Sequence, residues 1–256
     1  MDYKDKYLKY KQKYIKLKNN QKGGIDNIKL NAFVIHLKGQ NERRANIEEE
    51  RKKLGNIPLQ IFDAVVGADL DIDKIVKEHD YKTDFKIRTT GEIGCFLSHK
   101  NLLEKIKNTE NIEKSNGYSI IFEDDFKINS NNLEEDINKI INNLKNKHLD
   151  FDMIYLGNSY KIKNNGENII DNIYKVDKNN KLYGLFGLLI NNSKIDKILS
   201  CIQRISKPID VIYMEAIFDN KISTYVIYPC LVTVQEFSKK SSSIREQYNA
   251  KNNSNQ

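Results

Sequence analysis

Between residues 119 and 126 the chain reads SIIFEDDF, an apolar run that ends in three consecutive carboxylates, Glu123, Asp124 and Asp125. Adjacent like charges repel, so something must offset them. Water does so if the three form a solvated acidic loop. A hard divalent cation does so if they form a site, because Mg2+ and Mn2+ take oxygen ligands and are commonly held by one or two carboxylates together with substrate phosphates. The acidic triplet alone is compatible with either. A second stretch, TTGEIGCFLSH at residues 89–99, also carries chemistry. Gly91 and Gly94 permit close backbone approach, while Glu92 and Ser98 can hydrogen-bond at a helix start, where free N–H groups favour anions. His99 suits either a ligand contact or a hydrogen bond within the fold. Asp210 follows Pro208, where an aspartate can cap a helix or accept a proton.

These residues need elements to position them. IKLNAFVIHL (28–37) reads as a buried strand and NERRANIEEERKKLG (41–55) as a helix closed by Gly55, which suggests a parallel α/β unit. LQIFDAVVGADL (59–70) is a short strand leading into a turn at Gly67, and residues 89–108 open as a glycine-containing loop that becomes a helix. YSIIF (118–122) and FDMIYLG (151–157) are further strands around a helix at 132–145. A polar, Asn-rich interval (158–180) precedes YGLFGLLI, a helix at SKIDKILSCIQ, and the apolar segments PIDVIYMEAIF and TYVIYPCLVTV. In a doubly wound sheet the acidic triplet then lies at the C-terminal end of a central strand, beside the crevice where such sheets bind ligands.

Composition narrows the class. A chain of 256 residues, 39% hydrophobic and 30% charged, can bury one substantial core. Residues 1–22 hold eight lysines against two aspartates, so this stretch carries nearly all of the net +7. The remainder is close to neutral and has no nucleic-acid-binding signature, which argues against a nucleic-acid partner. Within residues 1–24, Tyr3, Tyr7, Tyr10, Tyr14 and Leu17 share one helical seam ringed by lysine, either a solvated extension or a basic amphipathic leader able to touch a membrane surface or a partner. No run approaches a membrane span, and the N-terminus lacks the apolar core of a signal peptide. Cys95, Cys201 and Cys230 are odd in number and lack metal-like spacing, so neither a disulfide framework nor a zinc site is expected. Residues 246–256 read as a loose tail.

Taken in order, FVIHLKGQNERR, IFDAVVG, GEIGCFLSHKNLLEKI, SIIFEDD, FDMIYLG, YGLFGLLINNSKIDKIL, PIDVIYM and YVIYPCLVTVQ resemble the successive blocks of glycosyltransferase family 25. That family includes lipooligosaccharide and collagen hydroxylysine galactosyltransferases. GEIGC.LSH followed by a strand ending in EDD is its most specific element here, and the resemblance covers about residues 30–245. It implies an α/β fold of GT-A type, Rossmann-like, with a mostly parallel central sheet across a domain at 28–245. It further implies a UDP-hexose donor carrying galactose or glucose, Mn2+ or Mg2+ as cofactor, and transfer with inversion to a glycan or a collagen-like acceptor.

Carried over by position, Asp125, Asp124 and Glu123 match the acidic motif, with Asp125 the first choice for the metal. Arg43 in NERR matches an arginine that can fork onto a diphosphate or a uracil edge, or else is a helix-surface charge. Ala64, Val65 and Gly67 match a donor-side block usually written with an aspartate before the glycine. Val66 stands there, with Asp69 nearby. Gly91, Glu92, Gly94, Ser98 and His99 match the donor-binding block, Asp210 the general base, and Gln235 a polar position near the end. The N-terminal stretch and the Lys/Asn/Ile-rich composition resemble proteins of giant DNA viruses of the mimivirus kind, which implies host cytoplasm or virion. A catalytically degenerate member that only binds is the alternative suggested by Val66. A nucleotidyltransferase would need a Gly-rich phosphate loop, and HLKGQNERR is a poor one.

Overall fold

The structure is a computed structural model that describes residues 28–79, 89–109, 117–159, 167–176 and 182–236. The lysine-rich segment at 1–24 and the tail at 246–256 lie outside the described residues. β1 (Lys29–His36), β2 (Leu59–Asp63), β3 (Gly117–Glu123), β5 (Met153–Gly157), β6 (Asn168–Ile170), β7 (Ile173–Lys175), β8 (Gly187–Asn191) and β9 (Thr224–Ile227) form one sheet in the order β2-β1-β3-β8-β5-β9-β7-β6. β4 (Phe126–Ile128) and β10 (Val232–Val234) pair separately as an antiparallel ribbon. The described helices are α1 (Asn41–Glu50), α2 (Ile72–His79), α3 (Thr90–Asn108), α4 (Leu133–Asn146), α5 (Ile195–Cys201) and α6 (Ile209–Phe218).

β1, β2 and β3 are mutually parallel and β5 is parallel to β9, whereas β8 runs against both β3 and β5, and β7 against β9 and β6. Most strands therefore point one way, with β8 and β7 reversed. The sheet is covered on both faces, which explains why its strands read as unbroken apolar runs. Along β1, Phe33 and Ile35 enter one core and Ala32 and Val34 the other; in β5, Met153 and Tyr155 oppose Ile154 and Leu156. Period-two alternation distributes each strand between two layers. The first layer is closed by α3, α5 and α6, through residues such as Phe96, Ile198 and Tyr213. The second is closed by α1 and α4, through Ile47, Ile137 and Ile141. Among the described residues no helix is long and apolar enough to cross a membrane.

The structure departs from the sequence expectation in several places. The glycines of TTGEIGC are not in a loop: α3 begins at Thr90, because Thr89 accepts the Glu92 N–H and the Glu92 carboxylate takes the Thr89 N–H, a capping box that starts the helix ahead of Gly91. The polar interval after β5 contains the β6–β7 hairpin, which extends the sheet beyond β9.

The ribbon is pressed onto the end of the sheet. A Cβ added to Gly157 would lie 1.8 Å from the Val232 carbonyl oxygen, a backbone atom that cannot swing aside. Gly157→Ala should therefore cost about 3 kcal/mol, the upper end of ordinary overpacking. Chemical denaturation checks this, and an unchanged midpoint would show that the ribbon can lift away.

Candidate functional site

The parallel register places Ile35 opposite Glu123, so β1 and β3 end together and their following loops meet. The Asp124 carboxylate sits between them. One oxygen accepts the Leu37 N–H at 3.3 Å and lies 2.9 Å from His36 Nδ1; the other takes the Arg43 guanidinium. Arg43 also lies 3.5 Å from Asp125. Asp124 is 5% exposed, so these contacts are made largely out of water. Burial works to lower the Arg43 pKa, but the charge and hydrogen bond of Asp124, helped by Asp125 and Glu123, outweigh it and hold the guanidinium above its ordinary value.

α1 clamps the backbone around this turn. Arg43, Asn46 and Glu50 fall at spacings of three and four, on one helical face. The Asn46 amide donates to the carbonyls of Asp124 (3.2 Å) and Phe126 (2.9 Å), and Glu50 accepts the Ile128 N–H at 2.6 Å. Gln235, just past β10, donates its side-chain amide to Asn46 and Glu50 and its backbone N–H to the Asp125 carbonyl. The carboxylates of Glu123 and Asp125, 30% and 13% exposed, flank this anchored residue.

The start of α3 packs on the loop after β2. Cβ atoms added at Gly67 and Gly94 would lie 2.4 Å from the Thr90 carbonyl oxygen and 2.7 Å from that of Val65, respectively. Ser98 is fully buried; its hydroxyl donates to the Gly94 carbonyl and accepts the Val65 N–H. Through this packing Ala64, Val65, Gly67, Gly91 and Gly94 hold the helix against the loop. Val66 is 37% exposed. Asp69 is exposed in the short turn that follows.

One turn apart on α3, Cys95 and His99 face the end of β3. Glu123 Oε1 is 3.9 Å from the Cys95 sulfur and 3.8 Å from His99 Nε2. His99 is 1% exposed, and among the described residues neither of its ring nitrogens has a hydrogen-bond partner. Burial, and then the negative charges of Glu123, Asp210 and Glu92, push the Cys95 thiol well above its usual range. Asp210, in the first turn of α6, accepts the N–H groups of Val211 (2.8 Å) and Gly184 (3.4 Å). Its burial raises its pKa; those two N–H groups oppose the rise, and the charge of Glu123 adds to it. Tyr155, fully buried with no partner for its hydroxyl among the described residues, is pushed well upward by burial and by the nearby Tyr213 and Asp210.

The structure thus brings Arg43, Glu123, Asp124, Asp125, His99 and Asp210 to one end of the sheet. It directs Glu92 and Ser98 into the architecture of α3. Sequence reasoning passed over His36, Asn46, Glu50, Cys95 and Tyr155. The 43/46/50 and 95/99 helical spacings were visible signals for three of these five, Asn46, Glu50 and Cys95; neither spacing includes His36 or Tyr155.

Residues 29–213 match the family model described as Glycosyltransferase family 25 (LPS biosynthesis protein). Procollagen galactosyltransferase 1-A of Xenopus laevis is 28% identical over 175 residues, covering 66% of this chain and 28% of that protein. Human procollagen galactosyltransferase 2 is 26% identical over 194 residues, covering 71% and 28%. A rat protein named probable inactive glycosyltransferase 25 family member 3 is 29% identical over 148 residues, covering 55% and 24%. The chain therefore spans under a third of the length of these relatives. The glycosyltransferase GlyE of Streptococcus pneumoniae TIGR4 shares 10% identity at a TM-score of 0.37 over 77% of this chain and 45% of its own, too loose a likeness to bear on the site. The family match takes in β1, β3, α1, α3, the acidic turn and Asp210, and the chain belongs to glycosyltransferase family 25.

Proposed function

We propose that the chain transfers a hexose, galactose or glucose, from a UDP-sugar to a hydroxyl of a glycan or of a collagen-like protein. The observation that carries this is the convergence of Arg43, the acidic turn and Asp210 at one strand end, from positions far apart in sequence.

The donor set bears on the metal that the family implies. Asp124 is committed to Arg43, His36 and the Leu37 N–H, so the carboxylates of Glu123 and Asp125 on either side of it are the groups that would hold a hard cation, and carboxylate donors fit Mn2+ or Mg2+. A cation held there would neutralise charge growing on the departing diphosphate.

The chain's own residues do the rest. Arg43, fixed by Asp124, offers its remaining N–H groups to the donor's diphosphate or base. Asp210 accepts the proton of the acceptor hydroxyl as that oxygen attacks the anomeric carbon. The bond from that carbon to UDP breaks in the same displacement, which inverts the configuration. The glycine-packed loop at 64–67 keeps α3 close to the strand ends and limits water that would hydrolyse the donor.

Full-length protein incubated with Mn2+ and a panel of UDP-hexoses should release UDP, lose that activity in EDTA, and regain it on adding Mn2+. Full activity in EDTA would remove the metal from this account. Release of pyrophosphate instead of UDP would identify a nucleotidyltransferase.

A second reading, a catalytically degenerate binding protein, is favoured by Val66 at the position the family writes as aspartate, and by the match to relatives named inactive. A UDP-sugar that raises the melting temperature while no UDP is released from any donor would establish that reading.

A further inference from the structure

Cys95 and His99 lie on consecutive turns of α3, aimed at the same carboxylate oxygen of Glu123, and the three donor atoms all fall within 4.8 Å of one another. Hydrogen bonding accounts for only one side of the arrangement, the Cys95 thiol donating to Glu123 Oε1 at 3.9 Å. The His99–Glu123 separation of 3.8 Å is too long for an N–H···O bond, and among the described residues neither ring nitrogen finds another partner although the imidazole is almost wholly buried. A buried polar nitrogen left without a partner carries a desolvation cost that a bound ion would relieve.

We propose that Cys95, His99 and Glu123 form a binding site for a borderline transition metal, Zn2+ foremost. The donor set decides the class, because thiolate and imidazole ligands select zinc and its neighbours over Mg2+, Ca2+ or Mn2+. Geometry agrees: zinc bonds of about 2.0–2.3 Å in a tetrahedron set donors roughly 3.3–3.8 Å apart. The separations of 3.8 and 3.9 Å from Glu123 need only small side-chain adjustments to meet that. Three protein ligands leave a fourth position for water or a substrate oxygen. Binding replaces the Cys95 thiol proton with the metal, and the proton leaves to solvent. The ion's charge offsets Glu123 and the neighbouring Asp210, and the partly exposed Glu123 gives it a way in. Glu123 is shared with the oxygen-ligand site proposed above, so the two ions compete for it, but the zinc site holds whether or not the chain transfers sugar.

The test uses Co2+ as a spectroscopic stand-in. Full-length protein titrated with Co2+ should develop a thiolate-to-cobalt charge-transfer band together with the visible bands of tetrahedral cobalt, and one equivalent of Zn2+ should erase both. Cys95→Ser should lose the charge-transfer band, while Cys201→Ser and Cys230→Ser keep it. Glu123→Gln, at the accessible strand end, should weaken zinc by at least about tenfold, as loss of even an outer-shell partner does. His99→Gln should do the same, with circular dichroism confirming that the variant is folded; an unfolded His99→Gln leaves Cys95→Ser and Glu123→Gln to decide. No charge-transfer band in the wild type, or one that persists in Cys95→Ser, would overturn the site. The readout is absorbance and is independent of UDP release.

Discussion

Asp125→Ala should abolish UDP release and leave the protein folded, whereas Asp124→Ala, one residue earlier, should cost about 3–5 kcal/mol of stability, the loss expected when one member of a buried ion pair is removed. The neighbours differ in what their oxygens do. Asp124 is 5% exposed, with both oxygens engaged by Arg43, His36 and the Leu37 N–H. Deleting it strands a mostly buried guanidinium and removes the tie between the ends of β1 and β3. Asp125 lies outside that knot, 3.5 Å from Arg43, and its backbone carbonyl remains held by Gln235 after truncation. Its loss should cost about 1 kcal/mol, the ordinary effect of a single substitution. Urea denaturation and UDP release, measured side by side, read the two effects. Equal destabilisation by both variants, or activity surviving in Asp125→Ala, would contradict this division of labour.

Asp210→Asn should lower kcat by about 10²–10⁴-fold, the contribution expected of a positioned general base, with only a small change in stability at neutral pH. Asparagine preserves the shape and keeps one acceptor oxygen, enough for the 2.8 Å bond from the Val211 N–H but not also for the 3.4 Å bond from Gly184, and it cannot take a proton. The pH dependence follows from the raised pKa, caused first by burial and then by Glu123. A base must be deprotonated to act, so wild-type activity should fall as pH drops through a midpoint above the ordinary aspartate value of about 3.9. Stability moves the opposite way. Because the folded pKa exceeds the unfolded one, the native state binds the proton more tightly. The ionised form is then penalised above the folded pKa, and stability from this group is recovered as pH falls through that pKa toward the unfolded value. Asp210→Asn removes the penalty and should flatten this trend. An activity profile with the same acidic limb in Asp210→Asn would transfer the base role elsewhere.

Much of the architecture was legible because it is local. Buried strands such as NAFVIHL declare themselves by continuous apolarity, and the helix at 132–145 by its period. Short elements were missed: β4 and the β6–β7 hairpin take their identity from partners far along the chain and carry too few residues to show a pattern. The reversal of β8 was likewise invisible, since strand direction depends on how the connections cross the sheet. At the N-terminus of α3 the glycines suggested a loop, yet the Thr89–Glu92 capping box prevailed and turned them into a packing surface for Val65 and Gly67.

For the site itself, sequence alone determined that an acidic triplet ends a central strand and that its surroundings resemble one enzyme family. What each carboxylate does was decided by tertiary structure, because identical side chains acquire different roles only from their neighbours. Asp124 becomes an anchor where His36 and Arg43 converge on it, Asp125 keeps its place beside the anchor, and Glu123 turns toward Cys95 and His99. The cysteine spacing had argued against a zinc site. That reasoning looks for ligands close together along one chain, and here two donors ride one helix while the third arrives at the end of a strand, an assembly that only the folded sheet creates.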